Sequence, residues 1–167
     1  SDKRKGFHLL VDALHIFSQK NNAENYELVI FGGSASSGMN LPMTTHFLGN
    51  LKDEISMALV YSAADIFVAP SIQDNLPNTV LESLSCGTPV VAFDVGGMPD
   101  MVRHKKNGYL APPFDMVALA NGMSWLLDDD ETRRTSSQLA RNTVEKAFTL
   151  ECQAKRYIKL YRELTAT

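Results

Sequence analysis

The chain has 167 residues, of which 44% are hydrophobic and 21% charged, and its formal net charge is -3. This composition is typical of one globular domain with a sizeable core. It does not favour a general nucleic-acid binder, because the basic residues form only short clusters, and no apolar run approaches the roughly 18 residues that span a bilayer.

Helical and extended segments alternate from the start of the chain. Apolar residues at helical spacing predict a helix over residues 6–20, and short apolar runs predict strands over 26–31 and 45–48. A second helix is expected over residues 53–64. This alternation indicates an α/β fold with a parallel sheet that helices cover on both faces.

The middle of the chain continues the pattern with two short apolar strands, at residues 65–69 and 89–93. Both are rich in β-branched or aromatic residues and are too short for helices. Between them we predict a helix that begins near Pro77, whose fixed φ suits a first helical position, and ends at Gly87.

The loop before this helix has the features of an anion site. It follows a buried strand and leads into a helix, so it presents unpaired backbone N–H groups with a positive dipole behind them. Asp74, Asn75 and Asn78 lie at this helix start. Glu82 lies on the helix itself beside apolar neighbours, where a carboxylate is costly unless it finds a donor, such as a sugar hydroxyl.

The last third of the chain is predicted to be helical. Asp115 is placed to cap one helix, whose apolar face ends at Trp125 and Leu126, and Thr149 is placed to cap the closing helix. Apolar side chains make a stripe along that last helix, at Ala154, Tyr157, Ile158, Tyr161 and Leu164.

Eight short segments recur in the order and with the spacing of a known family. They are KG at 5–6, FGG at 31–33, HFLG at 46–49, ADIFVAPS at 64–71, the stretch 74–82, CGTPVVA at 86–92, GG at 96–97 and NGYL at 107–110. Together they resemble the retaining nucleotide-sugar glycosyltransferases of the group 1 (family 4) type, whose two-domain architecture is called GT-B. The resemblance is to the C-terminal, donor-binding half and spans nearly all of the chain.

The resemblance implies roles for two carboxylates. In that family a glutamate, seven residues and a second glutamate mark the donor site, and the second glutamate bonds the ribose hydroxyls. Glu82 matches the second position, whereas Asp74, one methylene shorter, takes the first. The glycine-aromatic-glycine that usually follows is replaced by residues 75–77. This departure bears on sugar preference, because a shorter carboxylate shifts its hydrogen bonds.

The resemblance also implies a donor site without a metal or a cofactor, in which the nucleotide diphosphate sugar is a substrate. Lys5 would stabilise the diphosphate and Asp74 would orient the transferred sugar, so these two are the predicted catalytic residues. The remaining predicted donor contacts lie in two places. At the helix start they are Asn75, Leu76, Asn78 and Thr79. At the end of a strand, where main-chain groups would meet the nucleobase, they are Leu48, Gly49 and Leu51.

Each of these residues has an ordinary structural interpretation as well. Lys5 belongs to a run of three basic residues near a terminus, Asp74 suits a helix cap, and Asn75 and Asn78 suit turns. Gly96-Gly97 permits either a close backbone approach or a tight turn from strand to helix.

The family pattern further implies either that a strand is missing or that the sheet is completed in another way. A strand precedes the lysine-glycine pair in the family, and it is central in a doubly wound, Rossmann-like sheet of order 3-2-1-4-5-6. This chain starts four residues before Lys5. We therefore expect residues 1–167 to form the donor-binding domain alone, without the N-terminal acceptor domain. Two unpaired strand edges would favour self-association.

The expected function is transfer of a hexose-like sugar from a nucleotide diphosphate sugar to an acceptor hydroxyl, with retention, in glycan or polysaccharide synthesis. The acceptor, a glycan or a lipid-linked glycan, would meet the missing domain, so we expect the isolated chain to be inactive. Cys86 and Cys152 lack metal-type spacing with the histidines and indicate reduced thiols in the cytoplasm. Peripheral contact with the inner face of the membrane is a further expectation for the complete enzyme.

Two alternatives share the fold. A GT-B sugar-nucleotide epimerase would use the same donor pocket, and a non-catalytic interaction module would have lost the site while keeping the architecture. The changes at Asp74 and at residues 75–77 are compatible with the second alternative.

Overall fold

The computed structural model describes residues 3–33 and 40–165. Within these ranges the strands are β1 (Glu27–Phe31), β2 (Thr44–Gly49), β3 (Phe67–Ala69), β4 (Val90–Phe93) and β5 (Gly108–Ala111). The helices are α1 (Phe7–Lys20), α2 (Glu54–Ala63), α3 (Asn78–Ser85), α4 (Met98–Met101), α5 (Met116–Leu127), α6 (Asp130–Ala147) and α7 (Leu150–Thr165). Short 3₁₀ helices cover Lys3–Lys5 and Ala23–Asn25.

The strands pair in parallel, as predicted, but they fall into two sheets. β1 pairs with β2, and the second sheet has the order β3-β4-β5. The order 3-2-1-4-5-6 leaves a 3-2 pair and a 4-5-6 trio when its first strand is removed. The observed pairs agree with the predicted topology, and within residues 3–33 and 40–165 no strand pairs with both β1 and β3.

The core lies on both faces of β4, each residue of which is fully buried. Val91 and Phe93 pack in one cluster with residues of α1 and α5. Val90 and Ala92 belong to a second cluster with residues of α3, α4 and α6. Because neighbouring side chains of a strand point to opposite faces, this division shows that helices cover the three-stranded sheet on both sides.

Several predicted boundaries shift by one or two residues. Pro77 is the N-cap of α3 rather than its first helical residue, and Cys86 is the C-cap rather than part of the helix. Gly87 follows with φ 79°, the left-handed conformation expected at a helix end. β3 is shorter than the predicted 65–69, because its pairing with β4 begins only at Phe67, opposite Val90.

The predicted caps at Asp115 and Thr149 are confirmed, and Asp53, which was predicted only as a helix start, caps α2. The Asp53 side chain accepts a hydrogen bond from the Ser56 amide at 2.8 Å, and that of Asp115 accepts one from the Ala118 amide at 2.9 Å. Thr149 Oγ1 accepts one from the Cys152 amide at 3.2 Å.

The apolar side chains of α7 are largely exposed. The predicted stripe is present, but Tyr157, Ile158, Tyr161 and Leu164 are each at least half open to solvent. Across the described ranges, every helix is too short or too polar to cross a membrane.

Candidate functional site

A polar cleft of ≈ 290 Å³ lies where the start of the chain meets the loop after β3. Its lining residues are Arg4, Lys5, Gln73, Asp74 and Asn75. The Ile72 amide donates a hydrogen bond to the Arg4 carbonyl at 2.7 Å. A Cβ at Gly6 would overlap the Pro70 carbonyl oxygen, so glycine allows the two segments to approach each other.

Lys5 and Asp74 face each other in this cleft. Lys5 Nζ donates a hydrogen bond to Asp74 Oδ2 at 2.8 Å, and the two side chains are 61% and 18% exposed. The structure thus brings together the two residues that the sequence predicted to be catalytic. Lys5 is the exposed partner and can exchange Asp74 for another anion, whereas the carboxylate of Asp74 is mostly buried and needs another hydrogen-bond donor when Lys5 leaves.

Gly96 and Gly97 pack against the main chain of Asp74 and Asn75 and so fix the position of Asp74. A Cβ at Gly96 would overlap the Asp74 carbonyl, and one at Gly97 would overlap the carbonyl of Asn75. Gly97 is also the N-cap of α4. Both interpretations of this pair are therefore correct: it turns the chain from strand to helix, and it allows a close approach, which here is to the protein's own main chain.

The start of α3 adjoins the cleft through the loop that contains Asp74 and Asn75. Pro77, the N-cap, supplies no side-chain hydrogen bond to the first turn. Asn78 and Thr79 open the helix and are exposed, and the Leu76 side chain is 44% exposed. The Val80 amide donates to the Pro77 carbonyl at 3.1 Å, so within the first turn the amides of Asn78 and Thr79 are the ones that can donate to an anion.

Glu82 lies one turn further along α3 and does not line the cleft. Its Oε2 accepts a hydrogen bond from the Tyr61 hydroxyl at 3.1 Å. Tyr61 is buried at the end of α2, and this burial, together with the Glu82 carboxylate, raises the pKa of its phenol. The donor that the carboxylate requires is thus supplied in part by the protein.

Tyr61 is the residue that the sequence analysis missed. No spacing pattern links positions 61 and 82, which lie on different helices. The available signal was a tyrosine at the end of a predicted helix, because a buried tyrosine hydroxyl usually needs a hydrogen-bond partner.

The residues predicted to meet a nucleobase lie at the end of β2. Leu48 is 43% exposed, and Gly49, with φ 65°, accepts a hydrogen bond from the Gly32 amide at 2.8 Å. Leu51 follows in the loop before α2. Neither these residues nor Glu82 line the cleft, so the structure groups Lys5, Asp74 and Asn75 and leaves the other predicted contacts outside it.

A second cleft, of ≈ 250 Å³, lies near the starts of β3 and β4. Arg133, one of the arginines that line it, contacts Asp65 Oδ1 through Nε at 3.2 Å and Asp130 Oδ1 through Nη2 at 2.7 Å. These contacts compensate its charge. Within residues 3–33 and 40–165, no three His, Cys, Asp or Glu side chains are grouped so as to hold a metal ion.

The fold and the first cleft define a class of protein: an α/β domain with a polar, cation-bearing cleft in a loop that joins a parallel strand to a helix. The family model for Glycosyl transferases group 1 matches residues 1–129. The chain belongs to this family.

One curated relative matches almost the whole chain. The D-inositol 3-phosphate glycosyltransferase of Corynebacterium jeikeium (strain K411) is 31% identical over 173 residues, which cover 96% of this chain and 41% of that protein. The chain therefore spans about two fifths of the length of such relatives.

Solved structures share the fold. Sucrose-phosphate synthase from Thermosynechococcus elongatus matches with a TM-score of 0.79 and 31% identity, over 99% of this chain and 43% of that chain. The C-terminal domain of the group 1 glycosyltransferase LpcC from Francisella tularensis matches with a TM-score of 0.75 and 21% identity, over 90% of this chain and 83% of that chain. Anabaena Alr3699/HepE in complex with UDP-glucose matches with a TM-score of 0.76 and 21% identity, over 100% of this chain and 47% of that chain. The predicted fold, that of a GT-B C-terminal domain, is confirmed.

Proposed function

We propose that this chain binds the donor in a glycosyltransferase that moves a sugar from a nucleotide diphosphate sugar to an acceptor hydroxyl, with retention, in glycan or polysaccharide synthesis. The observation that carries the proposal is the pairing of Lys5 with Asp74 in a polar cleft beside the start of α3. The complex of Alr3699/HepE with UDP-glucose, a protein of the same fold, supports it.

Lys5 has the role of stabilising the leaving group. Negative charge develops on the nucleoside diphosphate as the bond to the sugar breaks, and a fixed ammonium group lowers the energy of that transition state. The amides and dipole at the start of α3 act in the same direction. Lys5, which is exposed, exchanges its contact with Asp74 for one with the diphosphate, and the sugar hydroxyls replace it as donors to the mostly buried carboxylate of Asp74.

Asp74, released from Lys5, orients the sugar by accepting hydrogen bonds from its hydroxyls. The main chain of Asp74 packs closely against Gly96 and Gly97, so the backbone position from which the carboxylate extends is fixed. Orientation of this kind accounts for a large part of catalysis by enzymes that bring two reactants together. Asn75, Leu76, Asn78 and Thr79 complete the contacts to the diphosphate and the sugar.

The ribose and the base extend away from the cleft in this proposal. A volume of ≈ 290 Å³ is at the lower limit of complete small-molecule sites, which measure about 300–1,000 Å³, so the cleft suits the diphosphate and the sugar alone. Glu82 bonds the ribose hydroxyls, and the main chain of Leu48, Gly49 and Leu51 meets the base.

Calorimetric titration of the chain with UDP-glucose, GDP-mannose and ADP-glucose tests the proposal. We expect at least one of them to bind, and the corresponding nucleoside diphosphate to bind as well, because most contacts are to the nucleotide. Binding of none would contradict the proposal and favour the non-catalytic interaction module. Product analysis with the complete protein separates transfer from epimerisation.

A further inference from the structure

The hydrogen bond between Tyr61 and Glu82 joins two helices. Tyr61 lies near the end of α2 and is 2% exposed, whereas Glu82 lies in the middle of α3 and is only partly buried. The hydroxyl therefore reaches the carboxylate from the buried side, at 3.1 Å. Glu82 keeps part of its surface accessible to solvent.

The Tyr61 side chain has little freedom to move. Its ring packs edge-on against Phe31 of β1 and Phe67 of β3, with both pairs of ring centroids 5.4 Å apart. Its carbonyl accepts a hydrogen bond from Thr88 Oγ1 at 2.6 Å. A donor anchored by two strands and a loop can hold a flexible glutamate in one orientation.

We propose that Tyr61 is a positioning residue for recognition of the donor's ribose: its hydroxyl holds the Glu82 carboxylate in the orientation that accepts both ribose hydroxyls. This inference rests on the proposed function, because it specifies how the donor site selects its nucleotide. Tyr61 acts through Glu82 and does not itself touch the ribose.

The hydrogen-bonding capacity of the two groups suits this role. An ionised carboxylate accepts only, at about four positions, and a tyrosine hydroxyl donates one proton. Tyr61 occupies one position on Oε2 and leaves the remainder for the two hydroxyl donors of a ribose. A deoxyribose offers one donor fewer, so a correctly held Glu82 distinguishes the two sugars.

The test compares UDP, GDP and ADP with their 2′-deoxy counterparts by calorimetry. For the nucleotide that binds the wild-type chain, we expect the ribose form to bind more tightly than the deoxyribose form. Tyr61→Phe keeps the ring contacts and removes the hydroxyl, so it should weaken the ribose form by about 3- to 10-fold and leave the deoxy form nearly unchanged. On the Glu82→Gln background, Tyr61→Phe should cause little further loss, because Tyr61 acts only through Glu82.

Tyr26→Phe is the matched control, since Tyr26 also packs edge-on against a phenylalanine, Phe17, at a centroid distance of 5.0 Å. It should leave the ribose preference unchanged. Equal loss of both nucleotide forms in Tyr61→Phe, or no loss, would overturn the inference while the proposed function stands. If no nucleotide binds the wild-type chain, the proposed function fails first and the inference with it.

A second measurement needs no substitution, in case Tyr61→Phe does not fold. The Cζ chemical shift of Tyr61 in the wild-type chain reports on its hydroxyl. Saturation with the bound ribonucleotide should shift this resonance, because the ribose hydroxyls become additional donors to the carboxylate that accepts from Tyr61, and the 2′,3′-dideoxy form should shift it much less. Equal shifts with the two forms would overturn the inference.

Discussion

Lys5 and Asp74 share one ion pair, and each has a different task in the proposed reaction. Lys5 binds the departing diphosphate and Asp74 the transferred sugar, so both must leave the contact that holds them at 2.8 Å. Their pairing places both groups in the cleft before the donor binds.

Lys5→Ala should therefore weaken binding of the nucleoside diphosphate more than binding of the nucleoside. We expect a loss of about 1 to 2 kcal/mol for the diphosphate, at the low end for a charged hydrogen bond because Lys5 is exposed. Calorimetry in buffers of several salt concentrations measures it. Lys3→Ala, a change to the exposed basic residue two positions earlier, is the control, and an equal loss in both variants would argue for a general charge effect.

The elements of this fold are predictable from the sequence where the pattern is local. The periodicity of α1, the apolar runs of β1 and β4 and the aspartate cap of α5 all depend on neighbouring residues, and the structure confirms them. The first residue of β3 depends on where β4 begins, because the two strands pair from Phe67 and Val90 onwards. The predicted start of β3, at residue 65, was therefore two residues too early.

The candidate site was harder to predict, because its contacts join distant elements. Lys5 and Asp74 are separated by 69 positions, and Tyr61 and Glu82 by 21. The family motifs predicted that three of these four residues, Lys5, Asp74 and Glu82, belong to one site, and the structure places Lys5 and Asp74 together in the cleft. The motifs carried no information on which side chains touch, and therefore none on Tyr61.

Gly96 belongs to the turn between β4 and α4 that supports Asp74. Gly96→Ala should lower the free energy of unfolding by at least about 2 kcal/mol, because alanine is strained at φ 53° and its Cβ overlaps the Asp74 carbonyl. Denaturant titration measures this change. Gly33→Ala is the control, since a Cβ there meets nothing within 4 Å; equal stability of the two variants would contradict the packing described.

The contact between α2 and α3 gives the stability of the domain a dependence on alkaline pH. Burial first, and then Glu82, raises the pKa of Tyr61 above its ordinary value of 10.0. The contribution of the protonated Tyr61 phenol to stability is complete below pH 10.0. It is lost as the pH rises towards the pKa of Tyr61 in the folded state, because the unfolded state releases this proton first.

Unfolding followed by circular dichroism between pH 8 and pH 11 should show this loss in the wild-type chain, over roughly the range in which an ordinary tyrosine ionises. Tyr61→Phe should reduce the slope above pH 10.0. Tyr157→Phe, at an exposed position on α7, should leave it unchanged. An unaltered slope in Tyr61→Phe would show that the phenol is not held as described.

The division of the sheet is the main feature of the whole molecule. Within the described ranges, β1 pairs only with β2, and β3 only with β4, so each has an edge without a strand partner. Such edges favour pairing with another chain. We expect the 167-residue chain to self-associate, and light scattering at increasing concentration should give a mass above that of a monomer.

Val29→Lys places a charge on β1, where Val29 is 43% exposed, and should reduce this association. Val117→Lys, at a position on α5 that is 51% exposed, is the matched control and should not. A monomer of high melting temperature at all concentrations would contradict the prediction for the wild-type chain.

Co-crystallisation with the nucleotide sugar that binds in calorimetry tests the donor site most directly. We expect a diphosphate within hydrogen-bond distance of Lys5 Nζ, an open contact between Lys5 and Asp74, and the ribose hydroxyls bonded to Glu82. A diphosphate bound elsewhere, for example against Arg133 and Arg134, with Lys5 still paired to Asp74 and Glu82 bonded to Tyr61 alone, would contradict it.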